Sequence, residues 1–249
     1  ALMPAEEFGQ EHIPGSVALD WPALEITDTS DASVVRWQTE MAELFASLGV
    51  VPGRRVVTYD GGSLFATRPW WVLHYLGHDT VAVLDGGLPG WQSAGGAIVT
   101  GMAATPDASP PASRIATAFE RQPRSNALAT LAEVQASLAD SGVVFVDART
   151  PEEYVAGHIP GAININYPRN ARPEPPHVWL PPDELRAMYE SAGVTPDKRV
   201  IPYCTTGVRS SVTFFTLHLL GYDNVSLFTG SWAEWSSHPE LPVTTGNRP

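Results

Sequence analysis

The chain has 249 residues, 43% of them hydrophobic, with a formal charge of −12 and a single cysteine. That charge argues against nucleic acid and anionic membrane surfaces, which attract basic patches, and leaves small molecules as the expected partners. One cysteine makes neither an internal disulfide nor a multi-thiolate zinc site, but it can be a nucleophile.

No run approaches the ~18–20 apolar residues of a membrane span, and the start at Ala1 has no basic segment leading into an apolar one. The expectation is a cytoplasmic monomer with no resident metal or cofactor.

Taken in chain order, the first recognisable motif is the turn His12-Ile13-Pro14-Gly15. A second turn, Gly49 to Arg55, precedes an apolar strand at Val56-Val57 that ends at Tyr59-Asp60, as a buried parallel strand requires. A glycine-containing loop and an amphipathic stretch follow, closing at Leu76-Gly77, where glycine suits the left-handed position after a helix. A short strand, Val81 to Leu84, then runs into Gly86-Gly87 and Trp91. The region from about Thr100 to Arg124 is rich in Pro, Ala and Ser and reads as a connector.

Beyond it the pattern returns. Tyr59 to Trp91 lies over Tyr203 to Trp235 without a gap, and His12 to Gly15 is answered by His158-Ile159-Pro160-Gly161. Two strand-loop-helix-strand units of one design predict two similar α/β domains, each a small parallel sheet flanked by helices. We assign 1–100 to the first domain, 101–123 to the linker and 124–249 to the second. The strand Val143 to Asp147 precedes His158, and the same offset puts its counterpart at or before Ala1. The first domain is therefore expected to lack its opening strand, as a piece of a longer chain would.

The chemistry concentrates in Tyr203-Cys204-Thr205-Thr206-Gly207-Val208-Arg209-Ser210-Ser211, which follows a strand and opens a helix. Backbone N–H groups there can converge on the sulfur, and with the helix dipole they favour a thiolate. The alternative is a buried cysteine acting as a small hydrophobe. Arg209 can donate to an anion or brace the loop through a carboxylate, for which Glu153 is the natural partner. Arg149, in Asp147-Ala148-Arg149, stands just past a strand end, where α/β sheets bind ligands; its alternative is a structural ion pair.

Asp147-x-Arg149, Glu153-Tyr154-x-x-Gly157-His158-Ile159-Pro160-Gly161-Ala162, the cysteine loop and Gly230-Ser231-Trp232-Ala233-Glu234-Trp235 together resemble the tandem-domain rhodanese sulfurtransferases, acting on thiosulfate or 3-mercaptopyruvate. The resemblance implies two rhodanese-like domains, with a silent first one, where Asp60 stands in the cysteine's place. It implies Cys204 as nucleophile, a cradle from Thr205, Thr206, Gly207, Val208, Arg209 and Ser210, donor binding by Arg149, and support from Asp147 and Glu153. Gly157 and His158 would shape a turn, and Trp232 and Trp235 would be core or pocket wall. The partners implied are a small anionic sulfur donor and a thiophilic acceptor. The loop reads Cys-Thr-Thr-Gly-Val-Arg, matching neither donor type; its arginine tilts the reading toward thiosulfate. Two rivals remain: a non-catalytic sulfur carrier, and a cysteine phosphatase or arsenate reductase, whose loops place five residues rather than four between cysteine and arginine.

Overall fold

The computed structural model describes residues 1–101 and 122–248, so most of the linker expected over 101–123 lies outside the described residues. The chain divides into two compact units. One comprises Ala1–Leu24, Val34–Arg124 and Glu174–Val178, and the other Glu25–Ser33, Ser125–Pro173 and Trp179–Pro249. Two short segments thus cross the boundary drawn from the sequence. For Glu25–Ser33 the cause is a contact distant in sequence: the buried Glu234 carboxylate accepts the Thr29 amide at 2.6 Å and its hydroxyl at 2.8 and 2.9 Å. No helix among the described residues is long and apolar enough to cross a membrane.

In the first unit, α1 (Ala5–Gln10) and α2 (Asp31–Ser47) precede β1 (Val56–Thr58), α3 (Thr67–Tyr75), β2 (Val81–Val83) and α4 (Gly87–Ser93). Strands β1 and β2 pair in parallel, Val56 against Val81. The core of α3 is formed by Trp71, Val72 and Leu73, all fully buried.

The second unit contains β3 (Leu128–Ala129), α5 (Leu131–Ala136), β4 (Val143–Asp147), α6 (Pro151–Ala156), β5 (Ile163–Asn164), α7 (Pro182–Ser191), β6 (Arg199–Tyr203), α8 (Val208–Leu219), β7 (Leu227–Phe228) and α9 (Ser231–Ser236). Its parallel ladder runs β5-β4-β6, and β3 pairs with β7. A bridge between Val200 and Val225 joins the stretch entering β7 to β6. The central β4 and β6 are near-continuous apolar runs because parallel strands are covered on both faces. Capping boxes at Thr130 with Glu133 and Thr150 with Glu153 start α5 and α6 by satisfying otherwise orphaned N–H groups.

The internal repeat is therefore structural. Val56 pairs with Val81 as Val200 does with Val225. The amide of Ile13 donates to the Tyr59 hydroxyl at 3.1 Å, as that of Ile159 does to Tyr203 at 3.2 Å. His12 stacks on Phe8 with ring centroids 4.0 Å apart, and His158 stacks on Tyr154 at 3.7 Å.

The first unit departs from this plan at β4. Among the described residues only Ala1-Leu2 stands at the end of that position: the Ala1 nitrogen donates to Val17 O at 2.8 Å and the Leu2 amide to Tyr59 O at 2.7 Å. A cavity of about 430 Å³, lined by Ala1, Val17, Val56, Thr58 and Leu73 among others, lies beside them.

Trp235 anchors the second unit. It is fully buried in a cluster with Phe145, Tyr203 and Phe228, and its indole N–H donates to Pro242 O at 3.1 Å. Trp235→Ala is expected to cost about 3–5 kcal/mol in chemical denaturation, and a loss under about 1 kcal/mol would contradict this packing.

Candidate active site

Strand β6 delivers Cys204 to the carboxyl end of the sheet, the edge where open α/β folds bind ligands. The chain then turns through Thr205 and Thr206 to Gly207, whose φ of 87° lies in the left-handed region that glycine enters without steric cost. Helix α8 starts at the next residue. The turn aims the Gly207 amide at Cys204 Sγ, 3.2 Å away.

The sulfur sits at the amino end of a twelve-residue helix, on the positive side of its dipole. The sequence predicted a wider cradle of amides from Thr205 to Ser210. Among the described residues, only the Gly207 amide makes a hydrogen bond to Sγ. Cys204 is 1% exposed, while Thr205 and Thr206 beside it remain half-buried.

A second set of bonds holds the loop from α9. The Trp232 amide donates to Cys204 O and that of Ala233 to Thr205 O, each at 3.0 Å. The Cys204 amide donates to Ser231 Oγ at 3.1 Å, and that hydroxyl donates to Phe228 O at 2.8 Å. Sequence reasoning did not single out Ser231 for the site, although the repeat already set it against Gly87.

Arg209 closes the loop onto α6. Its Nη1 and Nη2 donate to the two Glu153 carboxylate oxygens at 2.6 and 2.8 Å, and Nη2 also reaches Thr205 Oγ1 at 2.5 Å. Glu153 simultaneously caps α6, accepting the Thr150 amide at 3.1 Å. The bond from Arg209 holds the Glu153 carboxyl down at about 2, against the opposing effect of partial burial. Reciprocally, Glu153 raises the pKa of the Arg209 guanidinium.

Arg149 lies inward. It is 3% exposed, donates twice from Nε and once from Nη2 to the Asp147 carboxylate at 2.6–3.1 Å, and donates from Nη2 to Gly157 O at 2.7 Å. Its guanidinium is 4.5 Å from the Trp232 ring centroid. Burial works against its charge, yet its hydrogen bonds to Asp147 and the attraction of that carboxylate prevail and raise its pKa. His158 turns both ring nitrogens to backbone carbonyls, Nδ1 to Tyr154 O at 2.8 Å and Nε2 to Arg248 O at 3.1 Å. Ser210 is fully buried, and its hydroxyl makes no hydrogen bond among the described residues.

In the first unit the same loop closes on a carboxylate. Asp60 accepts the amides of Gly62, Ser63 and Ala66 at 2.7, 3.0 and 2.7 Å. That side chain supplies its own anion to a nest of N–H groups, and it cannot carry sulfur.

The Glu153 bridge yields a prediction about acid. The carboxyl titrates near 2 in the fold and near 4.5 when unpaired, so the stabilisation is complete above pH 4.5 and is lost as the pH falls toward 2. The melting-temperature gap between wild type and Glu153→Gln should narrow over that interval, whereas a constant gap would show that the pair contributes nothing.

The description of a rhodanese-like domain matches residues 2–94 and again 130–238. The chain is 31% identical over 251 residues to the thiosulfate sulfurtransferase of Pseudomonas aeruginosa, covering 97% of this chain and 89% of that protein. It is 30% identical over 266 residues to thiosulfate/3-mercaptopyruvate sulfurtransferase 2 of Arabidopsis thaliana, covering 96% and 77%. Among solved structures, a persulfide form of EanB, in a tetrahedral intermediate state with ergothioneine, superposes with a TM-score of 0.82 at 25% identity. It is matched over 98% of this chain and 64% of its own, so the present chain spans less than two thirds of that protein. With two matched regions, a repeated parallel-sheet unit and relatives named for this chemistry, the chain belongs to the rhodanese-like family of sulfurtransferases, with two such domains in tandem.

Proposed function

We propose that this chain moves a sulfane sulfur from thiosulfate or 3-mercaptopyruvate to cyanide or a thiol, with Cys204 carrying it as a persulfide. One observation carries the assignment to Cys204: its sulfur stands where β6 ends and α8 begins, with the Gly207 amide directed at it from 3.2 Å. A thiolate is the form that attacks sulfur, and an N–H donor with a helix amino terminus favours it.

In the first stage the Cys204 thiolate attacks the outer sulfur of the donor. The S–S bond of thiosulfate breaks and its electron pair leaves with sulfite. With mercaptopyruvate the C–S bond breaks, and the carbon takes the pair and then a proton to become pyruvate. In the second stage the acceptor attacks the outer persulfide sulfur and the Cys204 thiolate departs. Electrons balance without an outside oxidant.

For both arginines we favour the bracing alternative over donor binding. Arg149 braces the turn after β4, because Asp147 and Gly157 take its Nε and Nη2 hydrogens at a depth where solvent does not compete. Arg209 closes the loop through Glu153 and Thr205. Donor recognition then falls to the loop amides and to the half-buried Thr205 and Thr206. The charge argument for thiosulfate is weakened by the Glu153 pairing, so both donors stay in the proposal, and a comparison of kcat/KM ranks them. A cytoplasmic monomer belongs to the same reading.

The position of Arg209 also speaks against the phosphatase reading. Such a loop turns its arginine toward the oxyanion, whereas both terminal nitrogens of Arg209 face Glu153.

Cys204→Ser is expected to abolish transfer from either donor while the melting temperature stays near wild type. Wild-type protein incubated with donor should gain the mass of one sulfur atom and lose it on adding cyanide. Turnover surviving in Cys204→Ser would remove the assignment, and loading without discharge would favour the carrier.

A further inference from the structure

Ser231 has a φ of 54°, in a left-handed region that residues bearing a Cβ rarely occupy. Among the described residues, Leu64 is the one other non-glycine at positive φ. The repeat sets Ser231 against Gly87, which takes the same turn with a φ of 56°. The backbone of both units therefore asks for glycine here, and the second unit carries a hydroxyl instead. Ser231 is fully buried, so exposure to solvent does not explain it.

What the hydroxyl touches does explain it. It donates to Phe228 O, which orients its lone pairs, and it accepts the amide of Cys204 at 3.1 Å. Cys204 is itself buried, and among the described residues its N–H has no other partner. In the first unit, where glycine stands, position 60 bears a carboxylate held by three amides of its own loop. The hydroxyl is present where the chain carries a thiol and absent where it does not.

We propose that Ser231 is a positioning residue for sulfur transfer: its hydroxyl fixes the peptide plane of Cys204, and thereby the direction of Sγ toward the Gly207 amide. The proposal rests on the reading of Cys204 as the sulfur carrier. Its physical basis is that a buried N–H with one acceptor sets the orientation of its residue, and a misplacement of about 1 Å at a reacting atom can cost about 100-fold in rate.

Two variants test it. Ser231→Gly removes the hydroxyl and relieves the backbone, with Gly87 showing that the turn accepts glycine. Ser231→Ala removes the hydroxyl and keeps the Cβ, and it carries the same readouts should glycine loosen the turn. Both should lower kcat by at least about tenfold with KM changed by less than about threefold. Both should also change, by at least about threefold, the rate at which iodoacetamide alkylates Cys204 at a fixed pH. A purely structural defect would lower the active fraction without changing the alkylation rate of the folded fraction. A folded variant with wild-type kcat and an unchanged alkylation rate overturns the role of Ser231. Cys204→Ser, measured alongside, separates the two ideas: its residual turnover would overturn the carrier assignment, whereas an inactive Cys204→Ser beside a fully active Ser231→Gly would overturn only the inference about Ser231.

Discussion

The ion pair between Glu153 and Arg209 is the constraint on which the rest of the site depends. It joins the turn after β4, through the cap of α6, to the far end of the loop that begins at Cys204, and Thr205 is drawn into the same cluster. A bidentate guanidinium-carboxylate contact fixes direction as well as distance. Both terminal nitrogens of Arg209 are engaged in this contact. The consequence for chemistry is that the loop's cation serves geometry. The positive environment of the sulfur then comes from main-chain hydrogens and the start of α8.

The acidic charge of the chain fits this arrangement. A net charge of −12 opposes anionic donors at long range, but salt screens it over about 8 Å. Under the proposed function, a donor beside Cys204 would meet amides and hydroxyls at hydrogen-bond distance, where that screening has little effect. Local dipoles can therefore outweigh the global field at the one place where it matters.

The two units show how one design separates into two uses. Both keep the histidine turn, the tyrosine hydroxyl that accepts an isoleucine amide, and the parallel pairing at Val56 and Val200. They part at the loop. In the first unit α3 begins only at Thr67, because the chain spends Gly62, Ser63 and Ala66 on enclosing the Asp60 carboxylate. In the second, α8 begins directly after Gly207 and leaves the sulfur with one close amide and the end of a helix. A carboxylate in the nest satisfies it permanently, while a thiol leaves capacity for an incoming anion.

Much of this was determined by the sequence alone. The repeat, the parallel α/β class, the position of Cys204 between strand and helix and the place of Asp60 in the matching loop of the first unit all follow from local patterns: apolar runs, glycine positions and a fixed offset. Such patterns act over a few residues and survive without knowledge of the packing. Tertiary structure decided what depends on distant partners. Arg149 could have faced a ligand or an ion pair: Asp147 and Gly157 are near it in the chain, but the Trp232 ring over which its guanidinium lies comes from the other end of the unit. The exchange of Glu25–Ser33 into the second unit required Glu234, more than 200 residues away in the chain, to find the Thr29 amide. Ser231 reads as an ordinary turn residue until its φ and its bond to Cys204 are known together. Hydrogen bonds across such separations depend on where whole elements come to rest, and no local sequence pattern encodes that placement.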